Sequence, residues 1–190
     1  MRIGPLSLRF IRSFMPHYPM KLHIHLLPIP PPDSLAPVPD TVFHYTTGLK
    51  LRLILNSGKI APSTAAVPSS EHPVTWFTTS PDWEPTATKS PLPGVAGQVA
   101  TAKSQGGLIR IAVPGSAAPH VFGELPILAG TTPETWIGLL LAGLELGADP
   151  NNWRFSLTPV PSVLFREVEF FDFHAGRWLA IDMADLAARN

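Results

Sequence analysis

Cysteine is absent from all 190 residues. That excludes a disulfide scaffold, a zinc ribbon and a thiol nucleophile, and it leaves the redox compartment open. Charge is scarce as well: charged residues make up 15% of the chain, and 14 Lys+Arg balance 14 Asp+Glu. A phosphate-binding surface needs clustered excess cations, so nucleic acid is disfavoured as a main partner. The longest apolar stretch, around Trp136 to Leu146, is interrupted by Gly138 and Gly143 and bounded by Glu134 and Glu145. It falls far short of the ~20 residues that span a bilayer, so no membrane partner is expected. There is no Gly-x-Ser-x-Gly elbow and no glycine-rich phosphate loop, which leaves a serine hydrolase poorly supported.

What the chain does hold is a 45% hydrophobic fraction, enough for a sizeable core, and a length that suits one domain. It also holds 23 prolines, six of them at positions 28, 30, 31, 32, 37 and 39. Such a run lacks backbone donors and favours extended geometry, so residues 1–40 are expected to form an extended Pro-rich arm. Residues 1–19 carry Arg2, Arg9 and Arg12 and no acid, as a targeting peptide does. Met20 offers an alternative start, with residues 1–19 an extension outside the natural protein. Truncation at Met20 is expected to leave the melting temperature nearly unchanged. His23 and His25 share one face of a short β-prone run, read as an edge strand rather than a metal pair.

Residues 41–190 alternate between the two periodicities. Val42 to Tyr45 is β-prone, and Thr46 or Thr47 caps a helix over residues 48–57 that Gly58 ends in the left-handed conformation. A Ser/Thr/Pro-rich loop leads to a second strand, Val74 to Thr78, in which Trp76 shares a face with Val74 and Thr78. Residues 85–89 suggest a short helix, and residues 90–107, rich in Gly, Ala, Ser and Pro, read as a long loop. Leu108 to Val113 is a strand with Arg110 on the face opposite Ile109 and Ile111. Thr132, Pro133 and Gly147 bracket the clearest helix, with Trp136, Leu140 and Leu144 as its apolar stripe. Leu164 to Phe173, a turn at His174-Ala175-Gly176, and Arg177 to Ile181 read as a closing hairpin. The expected class is α+β: a split antiparallel or mixed sheet with a few helices.

Two constellations carry potential chemistry. His44 stands at a strand end beside Tyr45, Thr46 and Thr47, immediately before the chain turns into a helix, and strand ends are where sites collect. Glu167 and Glu169 share one strand face, so Val168 and Phe170 on the other face are expected to be the buried pair. Two carboxylates at this spacing suit either a solvated face or a division into acid and base. No residue set suggests a metal.

The order of these pieces resembles the ADP-ribosyltransferase-like superfamily: His44-Tyr45-Thr46-Thr47, a helix, Ser57-Gly58-Lys59-Ile60-Ala61-Pro62, the strand Val74-Thr75-Trp76-Phe77-Thr78-Thr79, and a late strand with Glu. The likeness covers roughly residues 41–182. It implies NAD⁺ as substrate and a bacterial toxin or effector that modifies a macromolecule, protein rather than nucleic acid, either cytoplasmic or secreted or injected. By that resemblance His44 bonds the adenosine ribose, backbone near Tyr45 and Thr46 holds the nicotinamide amide, and Glu169, or else Glu167, sits by the nicotinamide ribose. Such a carboxylate stabilises the oxocarbenium-like centre left by departing nicotinamide. The family often stacks a tyrosine on nicotinamide. Tyr18 and Tyr45 are the only tyrosines here, so Trp76 would supply that face, with Arg110 on the pyrophosphate. His44 and one of the two acids are expected to share a cleft. An NAD⁺ glycohydrolase, with water as acceptor, and a non-catalytic binding protein of the same fold are the competing readings.

Overall fold

Every strand pairing in this computed structural model, which describes residues 38–65 and 67–182, is antiparallel. The expectations for residues 1–37, including His23, His25 and the Met20 start, lie outside the described residues.

The chain opens with β1 (Thr41–Thr47) and passes directly into α1 (Gly48–Ser57). Gly58 ends α1 at φ 67°, as its lack of Cβ allows. Then come β2 (Lys59–Ile60), β3 (Thr75–Thr78), α2 (Gly94–Gln105), β4 (Leu108–Pro114) and β5 (His120–Val121). The short α3 (Leu125–Leu128) and the longer α4 (Pro133–Glu145) precede β6 (Trp153–Ser156), β7 (Val160–Pro161), β8 (Glu167–Asp172) and β9 (Arg177–Ala180). Seven strands form one sheet in the order β5-β6-β3-β1-β4-β8-β9, and β2 pairs with β7 separately. The protein is therefore of the α+β class.

The central strands of the sheet are buried on both faces, the β8–β9 edge is more exposed, and the register sorts the side chains. Val42, His44 and Thr46 stand opposite Val113, Ile111 and Ile109, and Val168 continues that row on β8. Leu51 and Ile54 of α1 cover this face, with Phe77 and Val160. The other face carries Phe43, Tyr45, Arg110 and Glu169 at one end, and Trp76, Trp153 and Phe155 at the other. Phe122, Leu125 and Ala129 close that second core, with Trp136 and Leu140 of α4. The ladder is uneven: β1 meets β4 at seven positions but β3 only at Phe43↔Thr78. The sheet thus parts between His44 and Trp76.

Three expectations fail. Residues 94–105, read as loop, form α2. Its glycines obscure the helical period, and the helix is fastened by the buried Thr101, whose Oγ1 accepts from the Lys89 amide at 2.9 Å. On β8 Val168 is buried as expected, but Phe170 beside it on that face is 39% exposed, and the acid face is buried at Glu169, 6% exposed. Ionic pairing overrides the apolar pattern there. On α4, Trp136 and Leu140 reach the core but Leu144 is exposed, because Gly143 makes the close contact with Trp153 instead.

Candidate functional site

His44 is half-buried where β1 and β3 part. Its Nδ1 lies 2.9 Å from the Trp76 carbonyl oxygen. A carbonyl only accepts, so Nδ1 carries the proton and Nε2 is left as a lone-pair acceptor. The Phe77 ring packs beside the imidazole at 5.6 Å between centroids. Burial lowers the His44 pKa first, the bond to the Trp76 carbonyl opposes that shift, and the nearby Lys89 ammonium lowers it further. Partial burial, then Lys50, lowers Lys89 in turn. Burial and the Lys89 ammonium thus favour the neutral imidazole of His44.

Arg110 and Glu169 form a second, different constellation. They face each other across the β4–β8 ladder, and the guanidinium Nε and Nη2 donate to the two carboxylate oxygens at 2.6 and 2.7 Å. Arg110 also donates to the Pro81 carbonyl. Its guanidinium carbon lies 4.8 Å from the ring centres of both Phe43 and Trp178. Tyr45 completes the enclosure: its hydroxyl donates to the Ser80 carbonyl at 2.8 Å, and its ring meets Trp83 edge-on. Burial pushes the Tyr45 phenol well above its ordinary value, so it stays protonated.

The sequence-expected residues therefore divide into two groups. His44 and Thr46 share one sheet face; Tyr45, Arg110, Glu167 and Glu169 occupy the other. The expectation that His44 and a Glu share one cleft is not met, because adjacent residues of a strand point to opposite faces and the register leaves no slack. Glu169 is not a free carboxylate, and Arg110 has no donor plane to spare for a pyrophosphate. Glu167 is exposed, opposite Ala112, with no hydrogen bond or ion pair among the described residues. The Trp76 ring is taken up by Phe122, Trp153 and Phe155, so its carbonyl rather than its aromatic face meets His44.

Sequence reasoning passed over Phe77, Lys89, Trp83 and Trp178. Only Phe77 carried a signal, since it alternates with Trp76 on a strand one step from His44. Among the described residues no group of three His, Asp or Glu is placed to hold a metal, and no helix is long and apolar enough to cross a membrane. No family model, curated protein or solved structure matches the chain.

Proposed function

We propose that the protein binds NAD⁺ beside His44, where the β1–β3 ladder ends, as an ADP-ribosyltransferase-like domain in which the late glutamate has become structural. The observation that carries this reading is the tautomer of His44: with Nδ1–H bonded to the Trp76 carbonyl, Nε2 is an acceptor suited to a ribose hydroxyl. Lys89, with Lys50 near it, takes the pyrophosphate contact that Arg110 cannot make. The enclosure of Glu169 by Arg110 favours binding without catalysis, because stabilising an oxocarbenium-like ribose requires a carboxylate whose charge is not already neutralised.

A catalytic reading needs the nicotinamide ribose on the opposite sheet face from His44, where the Glu167 carboxylate is exposed and unpaired among the described residues. In that reading the bond from ribose C1′ to nicotinamide breaks, and a macromolecular nucleophile or water takes its place. Calorimetry with NAD⁺, together with chromatography for released nicotinamide, tests both. The binding reading expects a measurable heat with the unaltered protein, lost in His44→Ala and kept in Glu167→Gln, and no nicotinamide released. Nicotinamide release that Glu167→Gln abolishes would establish the catalytic reading. No heat at millimolar NAD⁺ would sink both.

A further inference from the structure

Three half-exposed aromatic rings of the opposite face have no place in the proposed NAD⁺ site. Trp83 and Trp178 lie nearly parallel, 15° apart with centroids at 6.3 Å, and Phe171 stands edge-on to Trp178 at 5.2 Å. They wall an open depression between the loop at Asp82, the face of α2 at Gln98 and the β8–β9 hairpin at Arg177. The Trp178 indole N–H donates to the Asp82 carbonyl at 2.9 Å, and Trp83 Nε1–H donates to Thr88 Oγ1 at 3.3 Å. Both indoles are therefore held in orientation. Asp82 and Arg177 are exposed residues of the rim, and neither side chain makes a hydrogen bond among the described residues, although the Arg177 charge is felt by Asp172, its cross-strand partner.

We propose that this depression is a nucleotide site, with a nucleobase stacked on the Trp83–Trp178 pair and its phosphate on Arg177. An aromatic cage for an organic cation fits less well. One cation, Arg110, already lies over the Trp178 ring, and Arg177 at the rim repels a second. A neutral flat heterocycle meets neither objection, and every base offers a face to stack. Gln98 and Asp82 then supply an amide and a carboxylate for the base edge, the carboxylate matching ring N–H and exocyclic amine donors. Arg177, in the edge strand and opposite Asp172, supplies a planar guanidinium for phosphate oxygens by turning round the sheet edge. The 6.3 Å between the two indoles is less than the ~7 Å that two stacking intervals require, so the base lies against the pair rather than between its members. The site is independent of the NAD⁺ reading, because Trp178 and Tyr45 share the sheet face opposite His44.

The test follows the five tryptophan indole N–H signals by NMR in the full chain, with AMP, GMP and inorganic phosphate titrated separately. AMP or GMP is expected to move the signals of Trp83 and Trp178 and to leave those of Trp76, Trp136 and Trp153 in place. Asp82→Ala and Arg177→Ala, both exposed and so without consequence for folding, each weaken binding about tenfold. Trp178→Leu weakens it about fivefold to a hundredfold, as loss of a stacking partner does. His44→Ala leaves the Trp83 and Trp178 shifts with GMP and AMP unchanged, whatever it does to ribose binding at the other site. Three results would overturn the proposal: no indole shift at millimolar nucleotide, the same shifts at the same affinity with phosphate alone, or binding lost in His44→Ala but kept in Asp82→Ala.

Discussion

Glu169 shows how far one pairing changes the meaning of a residue. On an exposed strand it would be a reactive carboxylate. Opposite Arg110, between Phe43, Tyr45 and Trp178, it is half of a buried ion pair. Removing one member of such a pair leaves an uncompensated charge, which costs about 3–5 kcal/mol. Glu169→Ala is therefore expected to lower the urea midpoint sharply. The double replacement Arg110→Met with Glu169→Leu is expected to recover much of that loss, since apolar groups of similar volume carry no desolvation penalty.

His44 makes a second prediction at this scale. Burial is the chief cause of its lowered pKa, so the unfolded chain takes up a proton near pH 6.5, where the native state does not. The unfolded state then binds more protons, and stability falls as pH drops from about 6.5 towards the folded value. Urea midpoints at pH 7.5 and 5.5 measure this directly, and His44→Gln is expected to show the smaller drop. Asp40 and Asp172 do not interfere. Their pKa values are lowered, by the Arg166 bond and by the Ala175 and His174 amides respectively. Stability from those two acids is lost only below about pH 4.

Two glycines of α4 separate packing from propensity. A Cβ on Gly143 would lie 2.3 Å from the Trp153 ring, which is itself wedged edge-on against Phe122. Gly138, on the same helix, has open space where its Cβ would be. Gly143→Ala is thus expected to destabilise by about 1–3 kcal/mol through overpacking. Gly138→Ala should stabilise by up to ~1 kcal/mol, because alanine loses less backbone entropy in a helix. Equal effects at both sites would mean that α4 does not seat on Trp153. The start of the same helix depends on Thr132, which accepts from the Thr135 amide at 3.2 Å, and Thr132→Ala should cost about 1 kcal/mol.

Across the molecule, one sheet separates two cores and shares its backbone with both. Ile111 belongs to the core under α1; Phe155 belongs to the core under α4. Both are essentially unexposed. Because neither core has a sheet of its own, Ile111→Ala and Phe155→Ala should each lower the stability of the whole by about 2–5 kcal/mol. Far-UV circular dichroism and tryptophan fluorescence should still report one coincident transition. Separate transitions for the two probes would show that the halves of the sheet, joined between β1 and β3 at Phe43↔Thr78, unfold apart.

Much of this was legible in the chain itself because local chemistry decides it. Thr132-Pro133 and Gly147 bracket α4, Gly58 stops α1, and the β-branched and aromatic runs become β1, β3, β4 and the β8–β9 hairpin. The face of each strand residue also follows from alternation alone, including Arg110 opposite Ile109 and Ile111. α2 was hidden because glycine and alanine carry no periodic signal, while Thr101 and the close packing of Gly97 on the Leu92 carbonyl help to hold it. The candidate site lay further out of reach. Which strand lies beside which, and in what register, depends on contacts between residues far apart in the chain, 59 positions at Arg110 and Glu169 and 126 at Asp40 and Arg166. Period-2 geometry puts His44 and Tyr45 on opposite faces, but only the assembled sheet shows that Glu169 sides with Tyr45 and finds Arg110 across the ladder, with Trp178 against Arg110 and Trp83 against Tyr45.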